Sequence, residues 1–204
     1  MIDLLVGTTN PGKSAEVEAA LGRLPLNIRS LKALGTWPKI IEDGETFEEN
    51  ALKKARTLSE YSGYLTLADD SGLEVDALNG APGIYSARYS GEEGNDARNN
   101  EKLLYELRGV PEEKRGARFV CVLALCAPKV GGLNELTVRD SCEGRIAFTP
   151  KGDHGFGYDP IFFYPPFGKT FGEIDRATKE TVSHRGKALK KFAEMLALVM
   201  DLGR

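Results

Sequence analysis

Two adjacent aspartates, Asp69 and Asp70, end an apolar run of the sequence and are followed by Ser71 and Gly72. Neighbouring acids at the end of a strand are costly unless a cation or a basic side chain shares their field. Carboxylates are also the ligands by which proteins hold Mg²⁺. The pair therefore predicts either a magnesium site or an acidic turn, because Asp-Ser-Gly is also favourable turn chemistry.

The segment from Gly7 to Ser14, GTTNPGKS, matches the P-loop pattern and stands where that motif must stand, after a predicted strand and opening a predicted helix. Free backbone N–H groups at the helix start would hold phosphate oxygens, and Lys13 would neutralise a phosphate charge. Against a true P-loop, Pro11 removes one N–H group from the cradle. The segment predicts phosphate binding, but the P-loop fold does not follow from it.

Two further segments carry groups that suit a nucleotide. Residues 155–160, GFGYDP, place two aromatic rings and a carboxylate on a glycine-rich backbone, which could stack a planar base or pack as an aromatic turn. Lys179, His184 and Arg185 gather near the start of the last predicted helix, either as an anion site or as a solvated basic turn. The chain has only two histidines: His154 directly precedes the first segment, and His184 lies in the second.

Composition limits the classes of function. The 204 residues suffice for one domain with a large core, and 27 basic against 30 acidic residues give a net charge of −3, so no nucleic-acid or membrane footprint is expected. Cys121, Cys126 and Cys142 lack metal-binding spacing and are expected to be reduced thiols. We expect a cytoplasmic protein because the sequence shows neither a signal peptide nor an apolar stretch of about 20 residues.

Hydrophobic periodicity predicts the elements that position these groups. A strand over residues 2–7 and a helix over 13–24 flank the first glycine-rich turn. A second helix begins at Thr46, which is expected to form a capping box with Glu49, and runs to about residue 62. Asn50 and Lys54 fall on its apolar stripe, where they either reach the edge of the core or line a cleft.

The rest of the chain alternates strands and helices. Predicted strands cover 64–69 and 73–78 around the Asp-Ser-Gly turn, then 117–127, 135–148 and a short 161–163, and predicted helices cover 95–107 and 184–202. Helices interleaved with both isolated strands and hairpin-like pairs indicate an α/β protein with a mixed sheet.

Six segments taken in order resemble the inosine triphosphate pyrophosphatase family, also called Ham1-like non-canonical purine NTP pyrophosphatases. They are TTNPGK (8–13), TFEENA with Lys54 and Ala55 (46–55), ADDSGL (68–73), GAPGIYSARY (80–89), FGYDP (156–160) and SHR (183–185). The likeness extends over nearly the whole chain. Several segments in the family's order are far more specific than one P-loop match, so Lys13 is assigned to this family's own phosphate loop.

The resemblance implies a fold and a reaction. The fold would be a single ITPase-like domain over 1–204, an elongated α/β structure with a mixed sheet, flanking helices and two lobes around a central cleft, usually in a homodimer. The reaction would be the hydrolysis of ITP, dITP and XTP to the monophosphate and pyrophosphate with Mg²⁺. Its purpose would be to remove deaminated purines from the nucleotide pool.

The resemblance also assigns roles to residues. Thr8, Thr9, Asn10, Pro11, Gly12 and Lys13 would hold the triphosphate, Asp70 would activate water and bind Mg²⁺, and Ser71 would contact substrate. The pocket would be completed by Phe156, Gly157, Tyr158, Asp159, Lys179, His184 and Arg185. The second metal carboxylate would be Glu42, with Asp43 as the alternative. Asp69, Asn50 and Lys54 are candidate cleft residues. His154 stands where many relatives have glycine, which bears on loop flexibility and base preference.

Two other classes of function stay open at this stage. A P-loop kinase or ATPase would release orthophosphate or phosphorylate an acceptor, and a nucleotide sensor would bind without turnover. The sequence does not rank inosine against xanthosine nucleotides as substrates, nor ribose against deoxyribose nucleotides. Selectivity is expected from hydrogen bonds that suit a 6-oxo purine and stay unmade with adenine.

Overall fold

The computed structural model describes residues 1–92, 94–128 and 135–202. Its strands are β1 (Ile2–Val6), β2 (Leu26–Ser30), β3 (Leu65–Val75), β4 (Gly116–Cys126), β5 (Glu135–Ile146), β6 (Phe162–Tyr164) and β7 (Lys169–Thr170). Its helices are α1 (Pro11–Leu21), α2 (Phe47–Ser62), α3 (Asp96–Glu106), α4 (Arg176–Val182) and α5 (His184–Leu202). The strands form one open seven-stranded sheet in the order β2-β1-β3-β4-β5-β6-β7. Strand β1 is parallel to β2 and β3, whereas β6 is antiparallel to β5 and β7, so the predicted mixed sheet is confirmed.

The chain divides into two compact units. The first unit comprises Met1–Asp70, Cys121–Asp140 and Arg185–Arg204, and the second comprises Ser71–Val120 and Ser141–His184. The chain passes from one unit to the other within β3, β4 and β5 and at the start of α5. A single domain with lobes around a cleft stays a prediction.

In the first unit, the alternation of side chains along the strands assigns each helix to one face of the sheet. Leu4, Val6 and Leu67 pack with apolar residues of α1 and α5, such as Val17 and Phe192. Leu5, whose side chain points the other way, packs with Leu58 of α2. Helices α1 and α5 therefore cover one face and α2 the opposite face.

In the second unit, the core is built around three phenylalanines. The rings of Phe119 and Phe162 lie 4.5 Å apart between centroids, and those of Phe162 and Phe171 lie 4.9 Å apart. Leu103 of α3 packs in the same cluster, and so does Tyr158. This core anchors the glycine-rich segment 155–159 through the buried ring of Tyr158.

The prediction of two strands around an Asp-Ser-Gly turn is wrong. Residues 69–72 continue the extended backbone of β3, which runs without interruption from Leu65 to Val75. Turn propensity is a local preference, and here residues 69–72 continue a strand that lies between β1 and β4 in the sheet and pairs with β1 over Leu65–Leu67. Ion pairs also offset the cost of burying Asp69 in a strand and reduce that cost for Asp70.

The capping box predicted at α2 forms only in part. The Thr46 hydroxyl accepts a hydrogen bond from Glu49 N at 3.1 Å, as expected. The Glu49 carboxylate, however, accepts from Glu45 N at 2.7 Å rather than from the backbone of Thr46. Strand β2 and helix α4 were not predicted, since β2 is only half-buried and α4 has just seven residues.

Two expectations from composition can be compared with the structure. Among the described residues, Cys121, Cys126 and Cys142 are buried and form no disulfide, and burial raises the pKa of the Cys121 thiol to about 12, as suits an inert structural thiol. Within 1–92, 94–128 and 135–202, no helix has the length and apolar character needed to cross a membrane.

Candidate active site

The segment of residues 7–14, here named the phosphate-loop segment after its sequence pattern, connects β1 to α1. Asn10 caps this helix. The Asn10 side chain accepts hydrogen bonds from Gly12 N at 2.9 Å and Lys13 N at 3.2 Å. Asn10 N in turn donates to the Thr8 hydroxyl at 3.2 Å, and Ser14 N donates to Asn10 O at 3.1 Å. The prediction that the N–H groups at this helix start are free is therefore wrong, because the side chain of Asn10 uses them as an N-cap. Phosphate binding by this segment stays a prediction, and it would depend on side chains such as that of Lys13 rather than on the N–H groups of Gly12 and Lys13.

The close approach of this segment to β3 and α2 requires a glycine. A Cβ atom on Gly7 would lie 2.7 Å from Leu58 Cδ1 and 3.3 Å from the Ala68 Cβ. Gly7 N also donates to Leu67 O at 2.8 Å, so the turn continues the pairing of β1 with β3. This packing brings the phosphate-loop segment close to the two aspartates.

Asp69 and Asp70 have separate partners because successive residues of a strand point to opposite faces of the sheet. Asp69 points toward the face covered by α1 and α5, where it contacts Lys13 and Arg185. Asp70 points toward the face covered by α2, where it contacts Lys54. The two carboxylates do not share one metal site, although both are more than nine-tenths buried.

Asp69 is the centre of a buried ion cluster. Its Oδ2 lies 2.7 Å from Lys13 Nζ and 3.5 Å from Arg185 Nε, and Arg185 also donates to Glu16 Oε2 at 2.7 Å. Burial by itself would raise the pKa of Asp69, but Lys13, Arg185 and Lys54 together lower it well below its usual range. Asp69 therefore stays ionised and holds Lys13 at the start of α1.

Asp70 and Glu42 share one ammonium group. Lys54 Nζ lies 3.3 Å from Asp70 Oδ1 and 3.0 Å from Glu42 Oε2. Burial raises the pKa of Asp70 to about 6, and Lys54 opposes this shift while Glu42 and Asp69 add to it. Although burial lowers the pKa of Lys54, the surrounding acids raise it overall, so the ammonium remains charged.

The structure brings Glu42 rather than Asp43 to Asp70. Asp43 is exposed and pairs with Lys53 instead. The segment around Glu42 is held by Asn50, whose Oδ1 accepts from Gly44 N at 2.9 Å. Asn50, predicted on the apolar stripe of α2, is fully buried and positions this segment.

These two carboxylates fit a divalent cation of the magnesium type. Oδ2 of Asp70 is buried and has no hydrogen-bond partner within 1–92, 94–128 and 135–202. Those residues contain no group of three or more metal-ligating side chains. Mg²⁺, however, is commonly held by only one or two carboxylates together with waters and substrate phosphates. The donor set of Asp70 and Glu42 matches that mode.

A second group of predicted residues forms a folded loop in the second unit. Asp159 Oδ2 accepts from Phe156 N at 2.8 Å, which closes the segment 155–159 into a tight turn. Gly155 and Gly157 have positive φ angles of 80° and 63°, and a Cβ on Gly155 would lie 2.0 Å from Asp159 Oδ2. The two glycines are therefore required by the turn itself.

Lys179 of α4 connects this turn to the core. It forms a buried ion pair with Asp159 and lies 5.1 Å from the centre of the Phe156 ring. The Tyr158 hydroxyl donates to Ser86 O at 2.8 Å. Tyr158 is thus committed to the core, whereas Phe156 is only half-buried and is the aromatic ring of the turn that a base could contact.

The remaining predicted residues differ in burial and in the part of the protein that they contact. His184 stacks on Phe119 with ring centroids 4.7 Å apart, so its ring belongs to the core of the second unit. Ser71 is half-buried and follows Asp70 in β3, Thr8 is half-buried, Thr9 and Pro11 are exposed, and His154 is exposed. The residue that follows His184, Arg185, belongs instead to the ion cluster around Asp69.

A comparison with protein families decides the relationship. Residues 4–195 match the sequence model of the Ham1 family. The chain belongs to the Ham1 family. The dITP/XTP pyrophosphatase of Syntrophobacter fumaroxidans is 53% identical over 186 residues, which cover 91% of this chain and 78% of that protein. The dITP/XTP pyrophosphatase of Exiguobacterium sibiricum is 49% identical, with coverage of 95% and 96%.

Solved Ham1 structures share the architecture. A Ham1 protein from Coxiella burnetii matches with a TM-score of 0.89 and 38% identity, covering 97% of this chain and 99% of that one. The resemblance inferred from the sequence and its mixed α/β sheet are therefore confirmed.

Three residues that contact the predicted site residues were not predicted from the sequence: Glu16, Asp96 and Asn100. Glu16, the buried partner of Arg185, lies three residues after Lys13 on α1, and this spacing places both on one face of the helix. Asp96 and Asn100, which bind the backbone of Gly157, stand four residues apart on α3. The signal for all three is a polar pair at helical spacing, which is common on exposed helix faces and therefore unspecific.

Proposed function

We propose that this Ham1 protein hydrolyses non-canonical purine nucleoside triphosphates, namely ITP, dITP and XTP, to the monophosphate and pyrophosphate. The observation that carries the proposal is the pair of oppositely directed aspartates. Asp69 holds Lys13 ready for phosphate, and Asp70 lies with Glu42 beside Lys54 as a buried carboxylate whose pKa is raised to about 6. The names of the relatives agree with this reaction.

The triphosphate is assigned to the first unit. Lys13 and Lys54 supply positive charge, and Thr8, Thr9 and Asn10 supply polar side chains around the turn. Arg185 supports Lys13 through their shared partner Asp69. Positive charge placed in advance stabilises pyrophosphate as it leaves.

Asp70 is assigned the role of general base. A water oxygen attacks the α-phosphorus, the bond from that phosphorus to the α–β bridging oxygen breaks, and pyrophosphate leaves with the bonding electrons. The water proton passes to Oδ2 of Asp70, which has no hydrogen-bond partner within 1–92, 94–128 and 135–202. A general base of this kind must be ionised, and the ammonium of Lys54 beside Asp70 favours the ionised form.

Pyrophosphatase chemistry of this type generally requires a divalent metal, and we assign that role to Mg²⁺ held by Asp70 and Glu42. The ion would supply charge neutralisation on the phosphate oxygens. The residues of the chain position the carboxylates for it: Asn50 fixes the segment of Glu42, and β3 fixes Asp70.

The base is assigned to the turn of residues 155–159 in the second unit. The half-buried ring of Phe156 would stack on the purine, and the backbone of the turn would bind its edge. Lys179, Asp159 and His184 support the turn and its surroundings, and Ser71 is assigned a substrate contact beside Asp70. A site that pairs with a 6-oxo group rejects adenine strongly, because its own polar groups would be left unpaired.

The same proposal includes where and how the enzyme works. We assign it to the cytoplasm, because that is where its substrate nucleotides occur, and to a homodimer of a single-domain protomer (1–204), as the family resemblance implies. Neither nucleic acid nor a membrane is part of the proposed reaction.

The test is to identify the products formed from each nucleotide. Purified protein with Mg²⁺ is incubated separately with dITP, XTP, ATP and GTP, and pyrophosphate and orthophosphate are assayed in parallel. We expect pyrophosphate from dITP and XTP and almost none from ATP or GTP. Orthophosphate from ATP would instead support a P-loop kinase or ATPase, and binding without any product would support a nucleotide sensor.

A further inference from the structure

Helix α3 holds the backbone of Gly157 at both of its polar groups. Gly157 N donates to Asp96 Oδ2 at 2.7 Å, and Gly157 O accepts from Asn100 Nδ2 at 2.9 Å. Asp96 and Asn100 are one helical turn apart, so both side chains lie on the same face of α3. Together they bind one residue of the turn much as a neighbouring strand would.

This contact holds a residue whose backbone conformation few side chains adopt. Gly157 has a φ of 63°, and a Cβ placed on it would meet no atom within 4 Å. Glycine loses more backbone freedom on ordering than any other residue. The two hydrogen bonds from α3 bind both backbone polar groups of Gly157, which stands directly between Phe156 and Tyr158.

The side chain of Asn100 is itself held inside the protein. Asn100 is about nine-tenths buried, and its Nδ2 is committed to Gly157 O at 2.9 Å. A buried side chain has little freedom to change its orientation, so the contact that it makes with the turn is a fixed one.

Resting on the proposed function, we infer that Asp96 and Asn100 are positioning residues for base recognition. They hold Gly157 so that Phe156 presents its ring in one orientation before the 6-oxopurine nucleotide binds. Preorganisation of this kind raises affinity by removing the cost of ordering the turn on binding. The side chains of the first unit that are assigned to the triphosphate are not involved.

Binding measurements separate this role from a merely structural one. The dissociation constants of dIMP, which carries the base, and of inorganic tripolyphosphate, which does not, are measured by calorimetry in the presence of Mg²⁺. Asp96→Ala and Asn100→Asp are expected to weaken dIMP binding about tenfold, the equivalent of one lost hydrogen bond. Both variants are expected to bind tripolyphosphate as the unchanged protein does.

Two controls complete the experiment. Asp96→Asn keeps an oxygen acceptor for Gly157 N and is expected to restore dIMP binding to within about threefold of the unchanged protein. Glu101→Gln, an exposed change on the same helix, is expected to alter neither constant. Unchanged dIMP binding in Asp96→Ala and Asn100→Asp, or equal weakening of both ligands, would overturn the inference. Because binding is read without turnover, failure of the proposed reaction would be seen separately, as dIMP binding by a protein that releases no pyrophosphate from dITP.

Discussion

Replacing Asp70 by asparagine is expected to stabilise the protein in the absence of metal while removing most turnover. Burial is the largest cause that raises the pKa of Asp70 from 3.8 to about 6, and the nearby ammonium of Lys54 only partly opposes it. One pKa unit corresponds to about 1.4 kcal/mol, so keeping this carboxylate ionised costs the fold about 3 kcal/mol at neutral pH. Asparagine has nearly the same shape and no charge to desolvate.

The sign of this effect depends on pH. Because the folded state binds the Asp70 proton more tightly than the unfolded state, the cost is complete above the folded pKa of about 6 and disappears as pH falls toward 3.8. Asp70→Asn should therefore exceed the unchanged protein in free energy of unfolding by about 3 kcal/mol near pH 8, and by only about 0.5 kcal/mol near pH 4.

The adjacent residue provides a matched control with the opposite sign. Lys13, Arg185 and Lys54 lower the pKa of Asp69 despite its burial, so Asp69→Asn should destabilise the protein at neutral pH. Denaturant unfolding of both variants without metal measures the two effects. Loss of stability in Asp70→Asn at both pH values would refute the assignment of a desolvated carboxylate.

In turnover assays of dITP with Mg²⁺, Asp70→Asn should lose about a hundredfold or more in kcat, and near-normal kcat would refute its role as base.

Three further predictions concern the two groups of site residues. Phe156→Ala should raise KM for dITP more than it lowers kcat, because the lost contact is with the bound base; steady-state kinetics showing an unchanged KM would argue against stacking. Gly155→Ala should lower the melting temperature more than Gly157→Ala, since only the first places a Cβ against Asp159, at 2.0 Å from its Oδ2; equal effects in thermal unfolding would contradict that geometry. Lys13→Met should weaken tripolyphosphate binding about tenfold or more in calorimetry while the ratio of kcat/KM between dITP and dGTP stays constant, and a changed ratio would mean that Lys13 also acts on the base.

Much of the fold follows from hydrophobic patterning. The last helix was predicted at its observed bounds, His184–Leu202, and α2 within one residue, because both have a strong apolar stripe. The turn predicted inside β3 failed because its residues have local turn propensity, whereas ion pairs with Lys13 and Lys54 permit their burial in a strand. Such partners are distant in the chain and are invisible to local patterns.

In the candidate site, too, short contiguous motifs were predicted, whereas contacts that depend on the folded backbone were not. Motifs identified Lys13, Asp70 and the turn around Phe156 because each is a short contiguous segment. The separation of Asp69 from Asp70 is a consequence of strand alternation, and it could be inferred only if residues 69–72 were known to be extended. The occupation of Gly12 N and Lys13 N by Asn10 is a capping interaction that the P-loop comparison concealed, although asparagine before a helix is a common N-cap.

The proposed reaction requires that water attack the α-phosphorus of a 6-oxopurine triphosphate. It is tested most directly by hydrolysing dITP with this protein and Mg²⁺ in water labelled with a heavy oxygen isotope, and then locating the label by mass spectrometry. Attack at the α-phosphorus predicts one labelled oxygen in dIMP and none in pyrophosphate. Label in pyrophosphate, or in orthophosphate formed together with dIDP, would contradict the proposed reaction.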